Sequence, residues 1–97
     1  MVIEWLEFQV PAEKRTAFIE RDEAVWTAAL KQFQGFLGKE VWIDPETERV
    51  ILVIRWQSQE AWDAFPLSKI QQLDRQMGEL SIPIANSNRY QVRKYPH

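Results

Sequence analysis

The sequence predicts an α+β fold in which one antiparallel sheet of four strands carries its helices on a single face. Two short apolar runs in the middle of the chain flank a turn-forming segment and indicate a hairpin. Another strand-like run opens the chain, and segments with apolar residues at helical spacing lie on either side of the hairpin. With 97 residues, of which 45% are hydrophobic, we expect one domain over residues 1–97.

Four segments predict strands. Residues 2–9, VIEWLEFQ, alternate in part between two faces, and residues 38–44, GKEVWID, are typical of a second strand. The third is the apolar run VILVIRW at 50–56, and residues 44–48, DPETE, supply the turn chemistry of a hairpin. After the loop ELSIPIANSN, residues 89–95, RYQVRKY, form the fourth predicted strand.

Two regions predict helices. Pro11 suits the first helical position, where its missing N–H costs nothing, so we expect a helix over 11–33 that ends before Gly35. Ser58 is a natural N-cap for a second helix, and Pro66 should break or kink that helix. The helical segment that follows carries Leu67, Ile70, Leu73 and Met77 before Gly78. The resulting order, β-α-β-β-α-β, is that of the ferredoxin-like fold.

Composition and charge exclude several classes of function. A net charge of -2 argues against a general phosphate-binding surface, so nucleic acid is not an expected partner. The absence of cysteine removes thiolate metal sites and thiol catalysis, and the single histidine is His97. We therefore expect no metal site, no hydrolase triad and no cofactor. No apolar run approaches the roughly 18 residues that span a bilayer, so we expect a cytoplasmic protein with no membrane partner.

The third strand is apolar on both faces, which bears on assembly. Leu52 and Trp56 point to one side of the strand, and Ile51 and Val53 point to the other. With helices on one face of the sheet, the opposite face would expose more apolar surface than a monomer usually tolerates. We therefore expect a homodimer in which two sheets pack face to face about a two-fold axis.

One carboxylate lies where the first helix should be apolar. At about 100° per residue, Asp22 falls in the middle of the predicted apolar arc. That arc is formed by Phe18, Val25, Ala29 and Phe33. A buried carboxylate needs a partner or a proton, and three partners are plausible: Arg15, Arg55, and a ligand or pocket water. Beside a pocket, Asp22 would suit general acid or base catalysis; the alternative is a structural ion pair or a backbone cap.

Aromatic residues at four positions could line an apolar cavity against the same helices. These residues are Trp26, Trp62, Phe65 and Tyr90. Together with Arg15 and Arg55 they are the candidate pocket-lining residues, and plain core packing is the alternative for the aromatic ones.

The predicted last strand carries several basic residues. Arg89, Arg93 and Lys94 would have Glu4 and Glu7 of the first strand as cross-strand neighbours in the ferredoxin-like order. Paired surface charges are the expected arrangement, and an anion site is the alternative.

Residues 35–65, GFLGKEVWIDPETERVILVIRWQSQEAWDAF, resemble the segment common to antibiotic biosynthesis monooxygenase-like domains. The shared features include a Gly-Phe pair after the first helix, an acidic-proline hairpin, an apolar strand ending in tryptophan, and Ser-x-Glu-Ala-Trp opening the second helix. The stretches VIEWLEF, FIERDEAVWT and GFLGKEVW are also similar to a small cyanobacterial group within that superfamily. The resemblance implies a dimeric α+β barrel with a pocket between helices and sheet in each subunit.

The superfamily includes cofactor-free oxygenases that form quinones, haem-degrading enzymes and isomerases. Haem-degrading members use a histidine on the second helix, an asparagine on the first strand and a tryptophan near the start of the second helix. Here KIQQLDRQMG has no histidine, VIEWLEFQ has no asparagine, and Phe65 stands about where the tryptophan would be. Haem degradation is therefore disfavoured, and no residue set of the oxygenases matches position by position.

Two functions are predicted. The first is a small-molecule pocket protein, a cofactor-independent oxygenase or isomerase, in which Asp22 is the catalytic residue that orients or deprotonates an apolar or aromatic compound. The second is a dimeric module that binds a ligand or a protein without catalysis. The position of Asp22 favours the first, and the small number of convergent polar groups favours the second.

Overall fold

The computed structural model describes residues 1–94 of the chain. Four strands form one sheet in the order β2-β3-β1-β4, and every neighbouring pair is antiparallel. The strands are β1 (Val2–Gln9), β2 (Phe36–Ile43), β3 (Arg49–Trp56) and β4 (Asn86–Gln91). Strands β1 and β3 occupy the centre, where both of their edges are paired. The predicted ferredoxin-like, four-stranded antiparallel arrangement is confirmed.

Helical turns fill the two long connections of the sheet. The first connection contains a 3-10 turn (Ala12–Lys14), α1 (Arg15–Asp22), a π-helical turn (Glu23–Thr27) and α2 (Ala28–Leu30). The second contains α3 (Gln59–Asp63), α4 (Leu67–Met77) and a 3-10 turn (Gly78–Leu80). Among residues 1–94, none of these helices has the length and apolar character needed to cross a membrane.

The predicted cap, break and end of the helices in the second connection are confirmed. Ser58 caps α3, since its Oγ accepts a hydrogen bond from the Ala61 N–H at 3.1 Å. Pro66 separates α3 from α4, and Gly78 ends α4 with a φ of +58°.

Both helical regions pack on one face of the sheet, here called the inner face. Near one end of the sheet the core contains Phe8, Phe18, Val50, Leu52 and Met77. Toward the other end it contains Leu30, Ile54, Trp56, Phe65 and Leu73. The opposite, outer face carries the apolar residues Ile3, Trp5, Trp42, Ile51, Val53 and Tyr90. No helix of the described chain covers the outer face.

The structure corrects predicted boundaries in three elements. The second strand is Phe36–Ile43 rather than residues 38–44. The first helical region ends at Leu30 rather than at residue 33, and a π-helical turn interrupts it. The last strand begins at Asn86 rather than at residue 89, because hydrogen bonding to β1, with Asn86 opposite Glu7, holds a polar segment of low strand propensity in the sheet. It ends at Gln91, and Tyr95, the predicted end of that strand, lies outside the described residues, as does His97.

Candidate functional site

A cavity of about 820 Å³ lies between the inner face of the sheet and the helices. Its floor is formed by side chains of β1 and β3, and residues Ser81–Ile84 close one side. The walls are largely apolar and include six aromatic residues: Phe8, Phe18, Trp26, Trp56, Trp62 and Phe65. Small-molecule sites commonly have volumes of about 300–1,000 Å³ and mostly apolar walls with a few polar groups. The cavity fits that description.

Asp22 lies at the wall of this cavity in a buried ion pair with Lys39 of β2. The Lys39 Nζ donates to Asp22 Oδ2 at 2.5 Å and to Thr27 Oγ1 at 2.9 Å. Both charged side chains are only 3% exposed. The expectation that Asp22 lies among apolar groups on the helix agrees with the structure, but its partner is Lys39 rather than Arg15 or Arg55.

The π-helical turn explains how one lysine reaches two helical side chains. Asp22 and Thr27 are five residues apart, which would place them roughly 140° apart around an ordinary α-helix. Within this turn the Ala28 N–H donates to the Glu23 carbonyl, five residues back. This wider winding brings residues five apart toward the same side. Asp22 and Thr27 can therefore both contact Lys39.

The sequence contained a signal for Lys39 that the helical-wheel argument did not use. Strand alternation places Lys39 on the same side of β2 as Val41, and Val41 packs against the core. A lysine on the apolar side of a strand requires an acceptor, just as Asp22 on the apolar side of a helix requires a donor. The lysine on the apolar side of the strand and the aspartate on the apolar side of the helix together identify the Asp22–Lys39 ion pair.

Burial raises the pKa of Asp22 above its ordinary value, and the neighbouring Lys39 ammonium opposes that rise. The carboxylate is thus held in its charged form mainly by one cation and one hydrogen bond. A ligand or a mutation that weakens the contact with Lys39 will favour the protonated acid.

Glu4 is a second carboxyl group at the cavity and was not predicted to be there. It projects from the inner face of β1, and its Oε1 accepts a hydrogen bond from Trp56 Nε1 at 3.1 Å. Burial raises the pKa of Glu4, whereas the Trp56 hydrogen bond and the Lys39 charge lower it by less. Among residues 1–94 no ion pair joins Glu4 to Arg89, although the two are cross-strand neighbours.

The predicted surface pairing of Glu7 is also corrected. Glu7 pairs with Arg49 of β3, at 3.3 Å between Oε1 and Nη2, rather than with a residue of the last strand. Arg93 and Lys94 lie beyond the end of β4, so neither is opposite Glu4 or Glu7 in the sheet.

Three candidate pocket residues lie away from the cavity. The Arg15 Nη2 donates to the Thr47 carbonyl at 2.8 Å, outside the site. Arg55 belongs to the outer face, where its Nη1 contacts Glu40 Oε2 at 2.9 Å. Tyr90 is opposite Ile3 on the outer face and is 51% exposed. Strand alternation places Arg55 and Tyr90 on the outer face, whereas the cavity lies against the inner face.

The other three candidate aromatic residues line the cavity and also pack on each other. The rings of Trp26 and Phe65 are stacked with centroids 6.3 Å apart. Phe65 also contacts Phe33, with centroids 4.4 Å apart, and is 8% exposed. Trp62 of α3 is less buried and also lines a smaller adjoining pocket. Phe65 is therefore part of both the core and the cavity wall, so the two interpretations of the aromatic residues are compatible.

The described part of the chain offers the cavity no metal centre. Within residues 1–94, no group of three or more histidine, cysteine, aspartate or glutamate side chains is placed to hold a metal ion. The polar groups that line the cavity are four carboxyl groups, one ammonium group, one hydroxyl and one amide: Glu4, Asp22, Asp63, Asp74, Lys39, Ser81 and Gln71.

The chain is an α+β domain with an aromatic-lined cavity between its helices and the inner face of its sheet. The sequence model of the family described as "Antibiotic biosynthesis monooxygenase" matches residues 1–70. The chain belongs to this family. The comparison with curated proteins gave no match.

Solved structures show the same fold across nearly the whole chain. A monooxygenase from the gene ActVA-Orf6 of Streptomyces coelicolor, in complex with the ligand Nanaomycin D, is 14% identical with a TM-score of 0.79, covering 99% of this chain and 90% of that one. The haem-degrader MhuD from Mycobacterium tuberculosis, with two haems bound, is 22% identical with a TM-score of 0.74, covering all of both chains. A Deinococcus radiodurans protein described as an antibiotic biosynthesis monooxygenase is 17% identical with a TM-score of 0.76, covering 100% of this chain and 97% of that one. At these identities the similarity shows the fold alone.

Proposed function

We propose that the chain binds an apolar or aromatic small molecule in the inner-face cavity. The observation that carries this proposal is the combination of a cavity of about 820 Å³, aromatic walls, and the buried Asp22–Lys39 pair at its edge. Charged groups that are almost fully buried orient a bound ligand strongly, because few water molecules compete for their hydrogen bonds. The structural neighbour that holds Nanaomycin D supports small-molecule binding by analogy.

We further propose that Asp22 acts as the catalytic group of a cofactor-independent oxygenase or isomerase. Both reactions can begin with removal of a proton from a phenol or an activated C–H group, and a carboxylate with a raised pKa is a suitable acceptor. Lys39 would then stabilise the negative charge that develops on the ligand oxygen. Trp26, Trp62 and Phe65 would hold the ring system over the sheet.

A second candidate, binding without catalysis, is favoured by the geometry of the same pair. The Asp22 carboxylate already accepts a charge-assisted hydrogen bond from Lys39, and Lys39 also donates to Thr27. A carboxylate engaged in this way is a weaker base than a free one. Under this interpretation Asp22 and Lys39 maintain the shape of the cavity and recognise the ligand.

Binding and proton transfer can be tested with 2-naphthol and its methyl ether. We expect calorimetry to show tighter binding of 2-naphthol, by roughly tenfold, because only its hydroxyl can donate to Asp22. The preference should disappear in Asp22→Asn and persist in Asp63→Asn, which changes another carboxylate of the cavity lining. Proton NMR in D₂O then reports whether the protein accelerates exchange of the ring hydrogen at C1 of 2-naphthol.

The two candidates predict different outcomes of that experiment. Accelerated exchange that is lost in Asp22→Asn supports catalysis, whereas binding with no acceleration supports the binding module. If neither naphthalene compound binds at millimolar concentration, both candidates are wrong.

We also propose that a second copy of the chain covers the outer face of the sheet. On that face Trp42 is 46% and Tyr90 is 51% exposed, beside the partly exposed Trp5 and Ile51. Apolar groups this close together on one face favour association through a two-fold axis. Two ion pairs on the same face, Glu7–Arg49 and Glu40–Arg55, would lie at the rim of such an interface.

Light scattering at micromolar concentration tests the dimer. We expect the mass of two chains for the wild type and of one chain for Ile51→Glu, because a charge at the centre of an apolar interface is poorly solvated. Ile43→Glu is the matched control, since Ile43 is 45% exposed but opposite Val50, on the inner-face side of β2. A monomeric wild type, or equal dissociation by both variants, would contradict the proposed interface.

Two finer assignments accompany this proposal. The stretches VIEWLEF, FIERDEAVWT and GFLGKEVW support membership in a cyanobacterial group of the family. The residues outside the matched segment, beyond position 70, contribute Met77, Leu80 and β4 to the same core and sheet, which supports one domain for the chain.

A further inference from the structure

A second, smaller chamber of about 450 Å³ opens beside the main cavity. Glu4, Leu6, Trp62 and Ile84 line both spaces, so the two adjoin at these residues. The remaining side of the smaller chamber is polar. It is formed by Ser87, Asn88 and Arg89 of β4.

The charged groups of the two chambers lie in one row across the inner face of the sheet. Lys39 is opposite Ile54, Ile54 is opposite Glu4, and Glu4 is opposite Arg89. Three strand spacings of about 4.8 Å separate the backbone of Lys39 from that of Arg89, a distance of about 14 Å. One cation is thus buried beside Asp22, and the other is exposed on the edge strand β4.

Glu4 does not neutralise Arg89 despite their adjacent positions. Its Oε1 accepts the hydrogen bond of the Trp56 indole on the opposite strand. Among residues 1–94, Arg89 takes part in no ion pair, and Ser87 and Asn88 beside it are uncharged. On the inner face the chamber therefore presents the Arg89 guanidinium group and the Ser87 hydroxyl, beside the Glu4 carboxyl group that is bonded to Trp56.

We infer that the smaller chamber is an anion subsite and that the natural ligand is an aromatic acid, with a carboxylate bound by Arg89 and a ring system lying over Leu6 and Ile54. This inference rests on the proposed function and adds the class of its ligand. An arginine fork donates two parallel hydrogen bonds to a carboxylate, and the hydroxyl of Ser87 can supply another. The spacing of about 14 Å suits a body of two or three fused rings, whose far end reaches Asp22 and Lys39.

Calorimetric titrations with 2-naphthoate and 2-naphthylmethanol at pH 7 test the subsite. The two probes share the ring system and differ in charge. We expect wild-type protein to bind 2-naphthoate about tenfold more tightly, with an affinity that falls as salt is added. In Arg89→Gln this advantage should be lost while the affinity for 2-naphthylmethanol changes by less than about twofold, and Arg89→Lys should retain part of it.

Arg93→Gln is the matched control, because it removes one exposed arginine from the same end of the chain without touching either chamber. It should leave both affinities unchanged. The inference is overturned if Arg89→Gln retains the preference for 2-naphthoate, if it weakens both probes equally, or if Arg93→Gln has the same effect. Should the neutral probe also fail to bind the wild type, the proposed function fails with it; binding of the neutral probe alone leaves the cavity proposal standing and refutes only the subsite.

Discussion

Replacing Lys39 by methionine is expected to lower the free energy of unfolding by about 3–5 kcal/mol. The substitution leaves the Asp22 carboxylate buried without its cation, and it also removes the donor of the hydrogen bond to Thr27. Methionine fills a volume similar to that of the lysine stem, so the loss reports the charge rather than a void. Urea denaturation at pH 7, followed by tryptophan fluorescence, measures the effect.

The loss should also depend on pH in a defined direction. Burial raises the pKa of Asp22, and removal of Lys39 removes the main opposing influence. A carboxyl group whose pKa is higher in the folded chain than in the unfolded chain binds its proton more tightly when folded. The variant is therefore least destabilised below the unfolded pKa and loses stability as pH rises through the folded pKa.

Two further variants separate the ion pair from general damage. Lys31→Met removes an exposed lysine and should change stability by less than about 0.5 kcal/mol. The double variant Lys39→Met, Asp22→Leu replaces the pair by apolar groups and should recover most of the loss, because no charge is left unpaired. A pH-independent loss in Lys39→Met, or a double variant no more stable than the single one, would show that the pair is not the cause.

The parts of the fold that local chemistry determines were predictable from the sequence. The hairpin between β2 and β3 follows from its turn residues, and the start of α3 and the break before α4 follow from Ser58 and Pro66. The π-helical turn and the early start of β4 were not predictable in this way. Both involve partners distant in sequence: Lys39 contacts two helical side chains at the π-helical turn, and β1 pairs with β4 along one of its edges.

The candidate site was likewise predictable only in part. Helical periodicity identified Asp22 as anomalous, but a single helix cannot indicate which strand lies opposite it. Strand parity could have excluded Arg55, since the alternation that turns Ile54 and Trp56 inward turns Arg55 outward. The same parity marks Lys39 and Glu4 as inner-face charges. Combining the periods of strand and helix recovers more of the site than either period alone.

Gly35 joins the first helical region to β2 and should tolerate no side chain. Its φ is +93°, a conformation that costs residues with a Cβ roughly 1–2 kcal/mol. A Cβ at this position would also collide with the Cβ of Ala61 on α3, and overpacking of this kind costs a further 1–3 kcal/mol or so. We expect Gly35→Ala to lower the free energy of unfolding by about 3 kcal/mol, measured by urea denaturation.

The close approach of Gly35 to Ala61 also connects this position to the cavity, because Ala61 precedes Trp62. Moving α3 away from the sheet would displace Trp62 from the boundary of both chambers, so Gly35→Ala should weaken binding of 2-naphthylmethanol as well as the fold.

Gly38→Ala is the matched control, since Gly38 has no positive φ and a Cβ there would meet no atom within 4 Å; it should change stability by less than about 0.5 kcal/mol. Adding Ala61→Gly to Gly35→Ala should relieve the collision but not the backbone strain, and should recover part of the stability and most of the binding. If the two glycine variants are equally stable, α3 does not depend on this contact for its position.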